Sequence, residues 1–173
     1  MSGLFFSIIF ISLVTVAIAG NSLAPWVPAR KRDLPRIMKL AALEPGEIFY
    51  DLGCGNGRVA FYLGRHTRAR IIGVELALPF YLICLLRRMF RGEHGPEFRF
   101  KSLYKEDLTG AGAVYVFAAS RDRLEGGLKR KLEQELPRGA RVISYAFPIM
   151  GWTPKVVDKP SAKDIAIYLY TKD

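Results

Sequence analysis

The residues best suited to chemistry lie in one glycine-rich stretch, Asp-Leu-Gly-Cys-Gly-Asn-Gly-Arg, at positions 51–58. The stretch follows a predicted strand at residues 47–51 and opens a predicted helix with Asn56 as its candidate N-cap. Glycines at such a junction let the backbone turn tightly and let a ligand approach closely. A second acid, Glu75, ends the next predicted strand, residues 70–75. Because ligands bind at the carboxyl ends of parallel strands, the loop and Glu75 predict one shared binding site.

Two classes of cofactor use a loop of this kind. Dinucleotide sites have the pattern G-x-G-x-x-G, whereas this loop reads G-x-G-x-G and carries Arg58 where that pattern requires glycine. Asp51 precedes the first glycine, and an acid at this strand end suits the cationic methionine end of S-adenosylmethionine. Glu75 can accept hydrogen bonds from both ribose hydroxyls of a nucleoside. The pattern therefore favours S-adenosylmethionine, with a dinucleotide site and a ligand-free glycine turn as the alternatives.

With these residues in place, the chain resembles the class I S-adenosylmethionine-dependent methyltransferases. Residues 51–58 match that family's first motif, residues 73–75 (GVE) match its second, and residues 136–142 resemble its turn into the fifth strand. A narrower resemblance covers nearly the whole chain. It is to the small membrane-anchored protein-lysine methyltransferases, whose mitochondrial members modify the ATP synthase c subunit and the adenine nucleotide translocase. The segments that carry it are residues 26–29 (WVPA), 102–105 (SLYK) and 141–152 (RVISYAFPIMGW).

The resemblance implies a site for the methyl donor, the donor site, and a channel for the methyl acceptor, the acceptor channel. The residues expected to bind S-adenosylmethionine are Asp51, Gly53, Cys54, Gly55, Asn56, Gly57, Arg58, Glu75, Leu76, Ser102 and Leu103. The residues expected to form the acceptor channel are Pro28, Tyr145, Phe147, Pro148 and Trp152; the alternative is that Tyr145 and Phe147 are simply core residues. Ser102 stands where the family has an aspartate that reads the adenine amino group, and Ala29 replaces a family threonine. No catalytic base or metal ligand is assigned, because methyl transfer from a sulfonium mainly requires positioning and exclusion of water.

The N-terminal residues 3–19 form an apolar run, and the first charged side chain of the chain is Arg30. A run of about 18–20 such residues can cross a bilayer as a helix. Lysines and arginines follow the run and none precedes it, which predicts that the rest of the chain lies on the cytoplasmic side of the membrane. We therefore expect a transmembrane anchor at 1–22, a linker with an N-terminal helix at 23–45, and a methyltransferase domain at 46–173. A cleaved signal peptide and a buried core helix are the alternatives.

Strands and helices alternate along the rest of the chain, which is typical of an α/β fold with a parallel sheet. Strands are predicted at residues 47–51, 70–75, 98–101, 113–118, 141–147 and 165–170, and helices at 34–43, 56–64, 79–91 and 121–136. The expected fold is a Rossmann-like methyltransferase sheet with helices on both faces, preceded by one N-terminal transmembrane helix.

The chain is basic, with 26 lysines and arginines against 16 aspartates and glutamates and a net charge of +10. Such a balance fits nucleic acid, an anionic membrane surface or an acidic substrate. The basic residues are dispersed and the tetrapeptide Asn/Asp-Pro-Pro-Tyr is absent, so we expect no nucleic-acid partner. Cys54 and Cys84 are the two cysteines, and their spacing supports neither a zinc site nor a disulfide scaffold.

Function follows from the motifs and the resemblance together. The sequence predicts a methyltransferase that N-methylates lysine in a small membrane protein, with the membrane contacted through the N-terminal helix. A methyltransferase that acts on a lipid or a quinone is one alternative. A non-catalytic binding module that has kept the fold is the other.

Overall fold

The computed structural model describes residues 2–22, 27–90, 95–118, 124 and 126–173 of the chain. Trp26 of the WVPA segment lies outside the described residues. So do residues 121–123 and 125 of the helix predicted at 121–136.

Helices and strands alternate within the described ranges. The helices are α1 (Ser2–Ser22), α2 (Leu34–Ala41), α3 (Arg58–His66), α4 (Leu78–Met89) and α5 (Gly127–Glu135). The strands are β1 (Ile48–Leu52), β2 (Arg70–Glu75), β3 (Glu97–Phe100), β4 (Ala113–Val116), β5 (Arg141–Tyr145), β6 (Val156–Asp158) and β7 (Ile167–Thr171). The predicted N-cap at Asn56 is wrong, because Gly57 caps α3 with φ of 71° and the helix begins at Arg58.

The strands form one sheet in the order β3-β2-β1-β4-β5-β7-β6. Strands β1 to β5 pair in parallel, as the alternating pattern predicts, whereas β7 runs antiparallel to both β5 and β6. In this register Asp51 lies beside Gly73 on one side and Tyr115 on the other. The carboxyl ends of β1, β2 and β4 therefore meet at one edge of the sheet, where ligands of open α/β sheets bind.

Side chains alternate between the two faces of the sheet and form a separate core on each. One core contains Phe49, Tyr115 and Tyr145 and is covered by α2, α3 and α4. The other contains Tyr50 and Val114 and is covered by α5 and by residues 103–111. The expected helices on both faces of the sheet are thus confirmed.

Helix α1 lies against α4, where the Leu78 backbone N–H donates to Thr15 Oγ1 at 3.1 Å. Within the described ranges, no helix combines the length and the hydropathy that a bilayer crossing requires. The transmembrane anchor expected at residues 1–22 is therefore not supported.

Candidate cofactor site at the carboxyl edge of the sheet

The glycine loop owes its shape to three residues with positive φ. Gly53, Gly55 and Gly57 have φ of 75°, 54° and 71°, in the left-handed region that side chains with a Cβ rarely adopt. The backbone N–H groups of Gly53 and Cys54 both donate to Val74 O, at 2.9 and 3.0 Å, so the loop curls back over the end of β2. The alternating glycines of the sequence motif are thus a requirement of the turn itself.

Glu75, at the end of β2, is directed into this loop. Its Oε2 accepts the Gly55 N–H at 2.7 Å, and its Oε1 accepts the N–H groups of Leu76 at 2.9 Å and Ala77 at 2.7 Å. Burial raises the pKa of Glu75, while these three backbone donors oppose the rise. Each carboxylate oxygen can accept more than one hydrogen bond, so Glu75 can hold the loop and still bind a hydroxyl.

Asp51, at the end of β1, is 2% exposed, and its Oδ2 accepts the Ala60 N–H at 3.2 Å. Burial is the main reason that its pKa rises to about 7, and the negative charge of Glu75 adds to the rise. Neither acid forms an ion pair with another described residue. Buried carboxylates without a cation are unfavourable. A ligand that brings both cationic groups and hydroxyls would therefore suit Asp51 and Glu75.

Cys54, Cys84 and the backbone carbonyl of Asn56 contact other groups of the protein around the loop. The two thiols both lie against Gly55 O, Cys84 Sγ at 3.1 Å and Cys54 Sγ at 3.9 Å. The neighbouring Cys84 thiol and burial hold the pKa of Cys54 well above its usual range, so Cys54 is an inert thiol at neutral pH. Asn56 contributes its carbonyl oxygen, which accepts from Arg87, whose guanidinium lies 4.5 Å from the centre of the Phe61 ring.

Ser102 and Leu103 also reach this edge of the sheet. The Lys101 N–H donates to Glu75 O at 3.1 Å, which places the residues after β3 beside the end of β2. Ser102 precedes a helical turn at Leu103–Lys105 and is half-buried, while Leu103 is buried. The structure thus brings the predicted donor residues from the loop, from Glu75 and from residues 102–103 to one edge.

Arg58 points to a different neighbour, the N-terminal segment at residues 27–36. Its Nη1 donates to Ala29 O at 2.7 Å. The Arg30 N–H donates to Tyr145 Oη at 3.3 Å, and Tyr145 Oη donates to Asp33 Oδ2 at 2.6 Å. Residues 27–36 therefore run across the carboxyl edge between the glycine loop and the end of β5, and the half-buried Pro28 belongs to this crossing.

An aromatic cluster occupies the ends of β4 and β5, and sequence reasoning found only one of its members, Tyr145. Phe117, just beyond β4, packs edge-on against Tyr145 with ring centroids 4.8 Å apart. Tyr115 lies 6.3 Å from Tyr145, and no described group accepts or donates a hydrogen bond at its buried hydroxyl. The place of Phe117 directly after the fourth parallel strand was the sequence signal that could have identified it.

The other predicted channel residues lie on the opposite face of the sheet. Ala146 has φ of 75°, and this left-handed residue ends β5 and turns the chain. Phe147 and Trp152 therefore pack with the core of the α5 face, and Trp152 Nε1 donates to Glu133 Oε1 at 3.0 Å. Pro148 is half-buried in the same turn. The structure brings Pro28 and Tyr145 to the carboxyl edge but does not bring Phe147 or Trp152 to the face that holds Tyr145.

Known proteins resemble this chain in sequence and in structure. The family profile of the ANTKMT methyltransferase domain matches residues 51–156. A protein-lysine N-methyltransferase of Saccharolobus islandicus is 31% identical over 150 residues, covering 84% of this chain and 92% of that protein. The adenine nucleotide translocase lysine N-methyltransferase of Mus musculus is 32% identical over 77% of this chain, which spans only 57% of that protein. The solved structure of an RNA methyltransferase from Salinibacter ruber in complex with S-adenosyl-L-homocysteine is 25% identical, with a TM-score of 0.77 over 84% of this chain and 93% of that one.

The matched region contains the glycine loop, both buried acids and the aromatic cluster at the ends of β4 and β5. The fold, the two buried acids and the relatives all indicate the same cofactor, S-adenosylmethionine. The chain belongs to the ANTKMT methyltransferase domain family and is a class I S-adenosylmethionine-dependent methyltransferase.

Proposed function

We propose that this enzyme transfers the methyl group of S-adenosylmethionine to the side-chain amine of a lysine in another protein. The observation that carries the proposal is the likeness to the Saccharolobus islandicus protein-lysine N-methyltransferase, which covers 92% of that protein's length. A likeness of that extent is not confined to the donor loop, which every class I methyltransferase needs.

In this proposal, the donor residues each take a part that their chemistry suits. Glu75 accepts hydrogen bonds from the ribose hydroxyls, and Asp51 compensates the positive charge of the methionine end. The glycine loop would let the ligand approach the backbone closely, and residues 102–103 would contact the adenine. The bound cofactor supplies a methyl group that its sulfonium has already activated, so the protein's task is to align it and exclude water.

The acceptor side is supported by the aromatic cluster. Phe117 directly follows β4 at the carboxyl edge and is half-buried, and its ring packs edge-on against Tyr145, which is 1% exposed. An aromatic face stabilises a methylated ammonium by cation–π attraction. A lysine amine must lose its proton before it attacks, and desolvation against Phe117 lowers the pKa of an amine. Methyl transfer by this route requires no dedicated base.

The substrate is further proposed to be a membrane protein met at the cytoplasmic side. The support is the apolar helix α1, followed by cations between Arg30 and Lys39 that suit an anionic lipid surface. RNA, which the sequence analysis did not favour, is a second candidate acceptor because one solved relative is described as an RNA methyltransferase.

The experiment is an acceptor survey with the full-length protein and methyl-labelled S-adenosylmethionine. Membranes, soluble proteins, extracted lipids and total RNA are offered separately, and labelled proteins are digested to find the modified residue by mass spectrometry. Label on a lysine side chain is the expected result. Label confined to lipid or RNA would overturn the proposal.

Two variants make the survey specific. Glu75→Gln should abolish labelling, since it removes the charge proposed to bind the ribose. Glu97→Gln is the matched control, because Glu97 pairs with Arg70 and Arg99 at the start of β3 and should leave labelling unchanged.

A further inference from the structure

The hydroxyl of Tyr115 is a buried polar group that the fold leaves unpaired. Tyr115 lies in β4 and is 3% exposed, and no group of the described residues forms a hydrogen bond with its Oη. Buried hydroxyls in folded proteins are nearly always paired, because an unpaired one loses its hydrogen bonds to water without replacement. Phenylalanine would fill the same space without this cost, so folding alone does not explain a tyrosine at this position.

The position of Tyr115 in the sheet places it next to Asp51. The two residues are partners in the register of β4 and β1, so their side chains leave the same face of the sheet at the same level. On that face the Asp51 carboxylate accepts the Ala60 N–H of α3. Burial holds the pKa of Tyr115 well above its usual range, and the negative charge of Asp51 adds to the rise. At neutral pH the phenol therefore keeps its proton and can donate a hydrogen bond beside Asp51.

Residues 27–36 cross the carboxyl edge at this level. The ring of Tyr145, whose hydroxyl binds this segment, lies 6.3 Å from the ring of Tyr115. On the side of the glycine loop, Arg58 holds the segment through its hydrogen bond to Ala29 O. A ligand that extends from the glycine loop to Tyr115 would therefore be enclosed beneath residues 27–36, and its entry would require this segment to move outward.

The methionine end of S-adenosylmethionine offers the groups that this region lacks. It carries an ammonium, which donates hydrogen bonds, and a carboxylate, which accepts them. Asp51 is an acceptor and suits the ammonium, whereas the carboxylate requires hydrogen-bond donors and positive charge. Tyr115 is such a donor. Helix α3 begins beside it at Arg58, since the Ala60 N–H in its first turn already reaches Asp51, and a helix N-terminus favours negative charge.

We infer that Tyr115 is a further residue of the donor site, whose hydroxyl donates a hydrogen bond to the α-carboxylate of S-adenosylmethionine. Tyr115 lies inside β4 and belongs neither to the glycine loop nor to the acid at the end of β2. With Glu75 at the ribose, it would fix the opposite end of the cofactor, and both attachments would align the methyl group between them. The inference concerns the cofactor and does not depend on which acceptor the enzyme methylates.

The test is calorimetric titration of the full-length protein with S-adenosylmethionine and with its decarboxylated analogue, which keeps the ammonium and the sulfonium. Tyr115→Phe should weaken binding of S-adenosylmethionine by about tenfold or more, as for a lost hydrogen bond to a charged group. The same variant should bind the decarboxylated analogue as the wild type does. The matched control is Tyr50→Phe, because Tyr50 is a 5% exposed tyrosine of β1 on the other face of the sheet. It should bind both ligands like the wild type.

Unchanged affinity of Tyr115→Phe for S-adenosylmethionine would overturn the inference. An equal loss for both ligands would overturn it too, because the hydroxyl would then act on the ammonium or on the shape of the site. Thermal unfolding without ligand is the second readout. Tyr115→Phe should unfold at the wild-type temperature or above, since no hydrogen bond within the protein is lost, and a clear drop would show that the hydroxyl has a partner in the fold. None of these measurements uses an acceptor, so failure of the proposed lysine methylation would leave them readable.

Discussion

Tyr145 Oη donates a hydrogen bond to Asp33 Oδ2 at 2.6 Å, which joins the end of β5 to the turn that precedes α2. The other oxygen of Asp33 accepts from Arg36 Nη1 at 2.8 Å, and Asp33 itself is fully buried. Burial raises the pKa of Tyr145 to about 12, and the hydrogen bond to Asp33 adds to the rise. The phenol therefore keeps its proton at neutral pH and holds residues 27–36 across the carboxyl edge of the sheet.

Replacing Tyr145 by phenylalanine should destabilise the protein. Tyr145→Phe removes the donor to Asp33 and leaves a buried carboxylate oxygen with one partner fewer, which costs about 1–3 kcal/mol. Denaturant unfolding measures the loss. Tyr168→Phe, which removes a half-buried phenol of β7, is the control and should cost less. Equal stability of Tyr145→Phe and wild type would show that this contact does not fasten the segment.

Asp51 should make the folded protein less stable as pH rises through the range in which this carboxyl titrates. Because its pKa rises to about 7 in the folded state, the folded protein holds a proton that the unfolded chain releases above about pH 4. Its contribution to the free energy of unfolding therefore falls as pH rises from about 4 to about 7. Asp51→Asn removes this term, so the variant should gain stability relative to wild type across that range.

The control for that series is Asp107, an exposed carboxyl whose pKa is lowered by hydrogen bonds from Thr109. A lowered pKa changes stability only at pH values below the ordinary carboxyl range. The difference in free energy of unfolding between Asp107→Asn and wild type should therefore stay constant over the same pH range. Unfolding curves at several pH values measure both variants. If the difference in free energy of unfolding between Asp51→Asn and wild type also stayed constant with pH, Asp51 would not be buried with a raised pKa.

Phe117 should affect methyl transfer to the acceptor and leave the affinity for S-adenosylmethionine unchanged. Phe117→Leu keeps an apolar side chain but removes the aromatic face, so methyl transfer should fall by about tenfold with donor affinity unchanged. Phe117→Tyr keeps the ring and should retain most of the activity. Steady-state kinetics and donor titration separate the two effects. Equal activity of the leucine variant would remove Phe117 from the acceptor site.

Gly73 should tolerate no side chain. A Cβ at this position would lie 2.7 Å from Phe98 Cδ1 and 2.9 Å from Cys54 Sγ, both buried. Gly73→Ala should therefore cost about 1–3 kcal/mol by overpacking and disturb the glycine loop through Cys54. Gly110→Ala is the control, since its nearest neighbour would be Ile48 Cδ1 at 3.7 Å. Thermal unfolding of the two variants should differ clearly, and similar midpoints would count against tight packing under the loop.

The meeting of the glycine loop and the two acids at one edge of the sheet was predictable because its signals are local. The spacing of the loop glycines reflects three left-handed backbone positions, and the two acids end strands whose apolar runs are easily recognised. The contact between Tyr145 and Asp33 joins residues 112 positions apart, and no local pattern reports it. Ala146 in a left-handed conformation sends Phe147 to the opposite face, although a continued strand would have kept it beside Tyr145. Strand β6 was missed because three largely exposed edge residues carry no alternation.

The membrane anchor was predicted from the apolar run, from the cations that follow it and from the family resemblance, none of which records what the segment packs against. In the fold, α1 lies on α4 and shares an exposed apolar surface with it. The pairing depends on the position of α4, which the sequence of α1 does not contain.

The most direct measurement is a calorimetric titration of S-adenosylmethionine into the wild type, Glu75→Gln and Glu97→Gln. We predict binding by the wild type and the Glu97 variant, and affinity about 10- to 100-fold weaker for Glu75→Gln, as expected for lost hydrogen bonds to a charged group. Equal affinity of Glu75→Gln and wild type would contradict the assignment of Glu75 to the donor site.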